Sequence, residues 1–202
     1  MTPMSDLAQQ RGMETGVYQP AEDSRLLADA AVERADSDDK VLDVGTGSGY
    51  VAGRLARETD ATVVADDVNP HACRQARANA REESVPLAVV RGDCTRPFRA
   101  TTFDLVTFNP PYLPRDPDAE RDDWMERALT GGETGRAVIE SFLDDVGRVL
   151  VQGGTALLLV STLTDIGAVA SDADDRNLAA ETVREESFPF ERLAVLQITT
   201  TH

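Results

Sequence analysis

Asn109, Pro110, Pro111 and Tyr112 close the apolar run Phe103 to Phe108. A carboxamide, two rigid prolines and an aromatic ring in that order could hold a planar nitrogen still while a methyl group is delivered to it. Each proline fixes its own φ and pushes the preceding residue out of the helical region, so Asn109 and Pro110 are both held extended. Neither proline has an N–H, so the chain turns away from a sheet ladder. The side-chain oxygen of Asn109 and the carbonyl of Pro110 are left as acceptors, with the Tyr112 ring as a flat wall. An amide or aniline-like nitrogen is a poor nucleophile because its lone pair is delocalised. Two acceptors on its N–H groups favour a tetrahedral nitrogen and stabilise the positive charge that grows during transfer, without a strong base. Standing alone, Asn-Pro-Pro-Tyr is equally readable as a loop with a polyproline-like kink.

Three other strand ends carry polar groups. Val41 to Val44 reads as a buried strand running into the turn Gly45-Thr46-Gly47-Ser48-Gly49, with helical spacing from Tyr50 to Arg57. Glycines let the backbone approach a ligand closely, as in the cofactor loop of class I methyltransferases, which this turn resembles. Dehydrogenases and nucleotide enzymes own similar turns. Asp43 decides between them, because an anion ahead of the turn repels a pyrophosphate but suits the cationic amino-acid end of S-adenosylmethionine. A second strand, Ala61 to Ala65, ends at Asp66-Asp67-Val68-Asn69-Pro70. An acid roughly 20 positions beyond a glycine loop is a ribose ligand in such sheets. Asp67 is chosen, Pro70 starts the next helix, and Asp66 is expected to be a strand-end surface charge. A third strand, about Leu87 to Val90, reaches Gly92-Asp93-Cys94, where Asp93 is either a turn residue or a contact to an adenine amine.

The elements that must position these residues alternate. A helix is predicted over Pro20 to Ala35, strands and helices alternate from Lys40 to about Val160, and a helix covers Ala137 to Leu150, stopped by Gly153-Gly154. Thr155 to Val160 is a buried strand, a weakly patterned helix lies near Asp165 to Asn177, and strands Thr182 to Phe188 and Arg192 to Thr199 close the chain. The expected fold class is α/β: a Rossmann-like, seven-stranded, mostly parallel sheet with helices on both faces and an antiparallel last strand.

With 202 residues, 41% hydrophobic content and no long apolar run, the chain is expected to be one domain over residues 17–202 behind a flexible arm, residues 1–16. That arm lacks a signal-peptide core, which predicts a cytoplasmic protein. Cys73 and Cys94 are read as free thiols, and His71 and His202 are too scattered to ligate a metal together. The net charge of −16 is spread along the chain, and Lys40 is the only lysine. This looks like haloarchaeal composition, in which a dense acidic surface keeps protein soluble in salt. In ordinary salt such charge argues against nucleic-acid binding, which needs basic patches. Arg74, Arg77 and Arg81, and Arg91, Arg96 and Arg99, are read as solvated surface.

Taken together, the chain resembles the HemK-type glutamine methyltransferases of translation release factors, in their short archaeal and eukaryotic form. Besides Asn109 to Tyr112, the resemblance rests on Val17-Tyr18-Gln19-Pro20-Ala21-Glu22-Asp23-Ser24 and on Gly131-Gly132-Glu133-Thr134-Gly135-Arg136. It implies that S-adenosylmethionine is held by Ser24, Asp43, Gly45, Gly47, Asp67, Asp93, Cys94 and Asn109. It also implies that Asn109, Pro110, Pro111 and Tyr112 hold the substrate amide, with Asn109, Pro110 and Tyr112 catalytic. Ser24 stands where relatives often have threonine. The expected reaction is methylation of the glutamine of a release factor's Gly-Gly-Gln tip, with Leu113 to Thr130, carrying the lone Trp124, as a lid. The same acceptors also fit an exocyclic amine of adenine or guanine, though no separate recognition domain is present to extrude a base. A catalytically idle fold serving as a binding subunit is a third reading. Short members of the family resemble half of a heterodimer with a small zinc-binding activator, and the strand Leu87 to Val90 is the expected docking edge.

Overall fold

A computed structural model describes residues 22–111, 135–189 and 191–201. The apolar runs read above become strands, and the periodic segments become helices. In chain order these are α1 (Glu22–Val32), β1 (Lys40–Val44), α2 (Tyr50–Glu58), β2 (Thr62–Asp67), α3 (Pro70–Glu82), β3 (Ala88–Arg91) and β4 (Phe103–Phe108). After them come α4 (Ala137–Val149), β5 (Leu150–Ser161), a 3-10 turn (Thr162–Thr164), α5 (Ile166–Asp174), β6 (Leu178–Ser187) and β7 (Arg192–Thr200). One seven-stranded sheet results, in the order β3-β2-β1-β4-β5-β7-β6. Strands β1 to β5 pair in parallel, and β7 runs antiparallel to both its neighbours. The expected sheet and its antiparallel last strand are both present.

Alternation along the strands sorts the core into two layers. Leu42, Val44, Val106 and Phe108 pack with Ile139, Phe142 and Val146 of α4 and Val169 of α5. On the opposite face Val41, Val63, Leu105 and Leu157 pack with Leu26, Leu27 and Ala30 of α1 and Val51 and Leu55 of α2. Burying each large side chain of this kind contributes roughly 1.5–3 kcal/mol. The Phe108 ring lies 4.8 Å from that of Phe142, so the residue immediately before Asn109 is anchored in the core.

The parallel strands all end on one rim of the sheet, and local sequence shapes that rim. Asn69 caps α3, its side chain accepting the His71 N–H at 2.9 Å, with Pro70 in the first turn. Gly49 caps α2 at φ +84°, and a Cβ there would stand 2.9 Å from Ala76 Cβ and 3.1 Å from Ala76 Cα. Gly49→Ala therefore combines left-handed backbone strain with overpacking of α2 against α3. It is expected to lower unfolding stability in urea by about 2–4 kcal/mol; a loss within 0.5 kcal/mol would refute that account.

Two sequence expectations about the second half change. The helix expected to reach Leu150 ends at Val149, because Leu150 is already extended at ψ 139°. Gly153 and Gly154 do not stop it but lie inside β5, where Phe103 pairs with Leu150 and Leu105 with Thr155. Five residues of β5 thus advance against two of β4, a bulge that needs glycine. A Cβ on Gly154 would meet the Phe103 and Val151 carbonyl oxygens at 3.0 Å. The helix read near 165–177 is α5, shorter at both ends, and the penultimate strand starts at Leu178 rather than Thr182.

At one margin of the sheet, β3 has no further strand beside it among the described residues. The Gly92 N–H donates to the Asp67 carbonyl on β2 at 3.1 Å, so by alternation the Val89 carbonyl faces away from the sheet. Arg77 of α3 donates to that carbonyl at 2.6 Å. Arg77, read from the sequence as solvated, is half-buried and covers part of this margin.

Candidate active site

The site is assembled from the carboxyl ends of β1 to β4, where open α/β sheets bind ligands. Gly45 and Gly47 turn the chain off β1 at φ +60° and +56°. A Cβ on Gly45 would lie 3.3 Å from the Phe108 ring, so the turn can settle against β4 only without a side chain. The Thr46 N–H donates to the Asp66 carbonyl at 2.9 Å, and the Gly47 N–H to Asp67 Oδ2 at 2.9 Å. Asp67 Oδ1 accepts the Asn69 N–H at 2.8 Å. The ends of β1 and β2 are therefore clamped together through Asp67, which is half-buried; burial raises its pKa while these two N–H groups oppose the shift.

Asp43 lies beneath the glycine turn, 2% exposed. Its oxygens accept hydroxyl hydrogen bonds from Thr46 at 2.6 Å and Thr107 at 2.7 Å. Burial pushes its carboxyl up to about 6 against the opposing pull of those two bonds. Asp43 is thus a buried strut of the turn, with Thr107 directly opposite it in the β1–β4 register. Neither threonine was singled out from the sequence. The available signal was a hydroxyl inside the apolar run of β4.

Asp66 overturns its expectation. It is fully buried, not a surface charge, and neither side-chain oxygen has a hydrogen-bond partner. Successive strand residues face opposite sides, so Asp66 and Asp67 cannot both point outward. A Cβ on Gly92 would sit 3.4 Å from Asp66 Oδ2 and 2.3 Å from Pro97 Cγ, which places the turn after β3 over Asp66. Burial, reinforced by Asp67, Asp43 and Asp93, pushes its carboxyl up to about 8; the nearby Gly45 N–H, too poorly aligned to count as a hydrogen bond, opposes this only weakly.

In that turn Asp93 is exposed and ion-paired with Arg96, and Cys94 has a left-handed backbone at φ +51°. The Cys94 thiol is pushed up to about 12, chiefly by burial. At the end of β4, Asn109 Nδ2 lies 3.4 Å from Ser24 Oγ, joining the rim to the first turn of α1. Asn109 Oδ1 is buried without a partner. Ser24, Asp43, Gly45, Gly47, Asp67, Asp93, Cys94, Asn109, Pro110 and Pro111 all lie on or next to this rim. Tyr112, residues 113–130 and the two sequence blocks at 17–21 and 131–134 lie outside the described residues. Among the described residues, no group of three metal-ligating side chains stands close enough to hold an ion, and no helix is long and apolar enough to cross a membrane.

Comparison with known proteins decides the family. The methyltransferase small domain model matches residues 16–173. The chain belongs to the methyltransferase small domain family. Within it the relatives are of HemK type, so this protein is a methyltransferase. The human methyltransferase HEMK2 is 31% identical, over 94% of this chain and 92% of its own length. A Methanocaldococcus jannaschii protein, named provisionally as a protein N5-glutamine methyltransferase, is 32% identical over 89% of this chain and 90% of its own. Among solved structures, the E. cuniculi Mtq2–Trm112 complex, described as responsible for methylation of the eRF1 termination factor, superposes with a TM-score of 0.73. It is 28% identical, over 92% of this chain and 99% of that one. Family membership implies a methyl donor of the S-adenosylmethionine type, and two features of this methyltransferase fit one. The turn carries no side chain at Gly45, Gly47 and Gly49, and Asn109 leaves a buried acceptor unused at its rim.

Proposed function

We propose that this methyltransferase transfers a methyl group from S-adenosylmethionine to the side-chain amide nitrogen of the glutamine in the Gly-Gly-Gln tip of a class I translation release factor. The observation that carries the reading is Asn109 Oδ1, a buried acceptor with no partner at the strand end beside the glycine turn. One relative named for protein glutamine methylation and another described as methylating a termination factor support the same substrate.

Bound S-adenosylmethionine supplies an electrophilic methyl on a positively charged sulfur. Gly45 and Gly47 would give its amino-acid end room, Asp67 would take the ribose hydroxyls, and Asp93 and Cys94 would border the base. Asn109 Oδ1 accepts one N–H of the incoming amide and the Pro110 carbonyl the other. Both contacts strengthen as the nitrogen becomes positive, so they favour the transition state over the ground state. The donor would supply its methyl by exchanging the S–C bond for a new N–C bond, and the surplus amide proton would leave to water.

The protein, purified release factor and radiolabelled S-adenosylmethionine should label the native factor and leave its Gly-Gly-Gln to Gly-Gly-Ala variant blank. Label on RNA or DNA instead would assign the site to an exocyclic amine of a nucleobase. We further propose that a small zinc-binding partner subunit adds a strand at β3; the existence of a Trm112 complex of a similar protein supports a small partner. Fractionation with and without such a subunit tests it.

A further inference from the structure

Asparagine presents a donor and an acceptor of nearly equal shape, and only one of them can face the substrate. The substrate amide brings N–H groups, so Asn109 must offer Oδ1 and keep Nδ2 turned away. Something must set that choice, and a hydroxyl alone cannot, because it both donates and accepts.

The neighbouring groups resolve the ambiguity. Asn109 Nδ2 donates to Ser24 Oγ at 3.4 Å, and Ser24 Oγ donates to Asp23 Oδ1 at 3.2 Å. The same carboxylate oxygen accepts the Ser24 N–H at 2.5 Å. Asp23 and Ser24 are 1% and 6% exposed. A carboxylate only accepts, so it claims the single Ser24 hydroxyl proton. Ser24 Oγ then has only lone pairs to offer Asn109, and the carboxamide is locked with Nδ2 toward α1, which leaves Oδ1 unpaired on its other side. We propose that Asp23 is a positioning residue for methyl transfer, fixing the orientation of the Asn109 carboxamide through the Ser24 hydroxyl. This rests on Asn109 as the amide acceptor but not on which protein carries the amide.

Asp23→Asn replaces a pure acceptor with a group that also donates. Ser24 is then free to donate to Asn109 Oδ1, and the flipped carboxamide meets the substrate with N–H against N–H. Turnover should fall about 10–100-fold, with KM for the protein substrate and affinity for S-adenosylmethionine changing less than about threefold. Ser24→Ala should lose a similar amount, and Ser24→Thr, which keeps the hydroxyl, should restore turnover relative to Ser24→Ala. Asp23→Asn should add no further loss in an Asn109→Ala background, since linked residues are non-additive. An independent readout needs no substrate. In a 15N-resolved spectrum, one Asn109 side-chain N–H should exchange slowly in the wild type and quickly in Asp23→Asn. Unchanged exchange, turnover within twofold, or an additive loss in the double variant would overturn the proposal. Should the release factor prove unlabelled while the exchange result holds, only the substrate reading fails.

Discussion

Asn109→Ala lowers turnover by roughly two to three orders of magnitude, the usual cost of deleting one group aimed at developing charge. S-adenosylmethionine affinity should stay within a few-fold. The expectation follows from the state of Oδ1. It is desolvated and unpaired before substrate arrives, so its hydrogen bond is fully gained on the way to the transition state. Phe108 is locked against Phe142 and Pro110 stiffens the chain on the other side, so the alanine variant keeps its backbone course and loses only the acceptor. Single-turnover rates and equilibrium binding of the methyl donor measure the two halves separately. Equal turnover by the variant would remove Asn109 from the mechanism.

Asp66→Asn produces the second large effect, on stability. The folded protein holds the Asp66 carboxyl at about 8 against a usual 3.8, because it is buried beside Asp67, Asp43 and Asp93. Between those values the folded state retains a proton that the unfolded chain has released. Stability is therefore full below about pH 4 and falls as pH rises towards 8, by something on the order of 5 kcal/mol. Asp43, held at about 6, contributes in the same direction over the lower part of that range. Asparagine imitates the neutral acid and cannot ionise. At pH 8 the variant should melt about 10–20 °C higher than the wild type, and the two should converge near pH 4. Parallel melting curves across that window would show that Asp66 stays ionised in the fold.

How far the sequence discloses this molecule depends on the range of the interaction involved. The Asn-Pro-Pro turn, the glycine turn and the Asn69-Pro70 helix start are set by residues within a few positions, and each is legible there. The pairing of Asp43 with Thr107 spans 64 positions and depends on β1 and β4 being neighbours in the sheet, which no local pattern states. Asp66 was misread for a related reason. Alternation says that one of two adjacent acids must face inward, but only the turn at Gly92 to Pro97, brought over it by β3, determines which one is sealed. Gly153 and Gly154 look like a helix stop because glycines often are; their use as a bulge is fixed by β4 carbonyls some 50 positions away. The Asp23–Ser24–Asn109 chain is legible at its near end and hidden at its far end.

Because Arg77 already occupies the outward carbonyl of Val89, any strand that pairs with β3 has to evict it. The incoming amide hydrogen then replaces a guanidinium hydrogen, so the count of satisfied acceptors at that position is unchanged. Attachment there must draw its free energy from apolar contact and from rehydrating the displaced cation. Until then the margin is poorly suited to recruiting a second copy of the same chain.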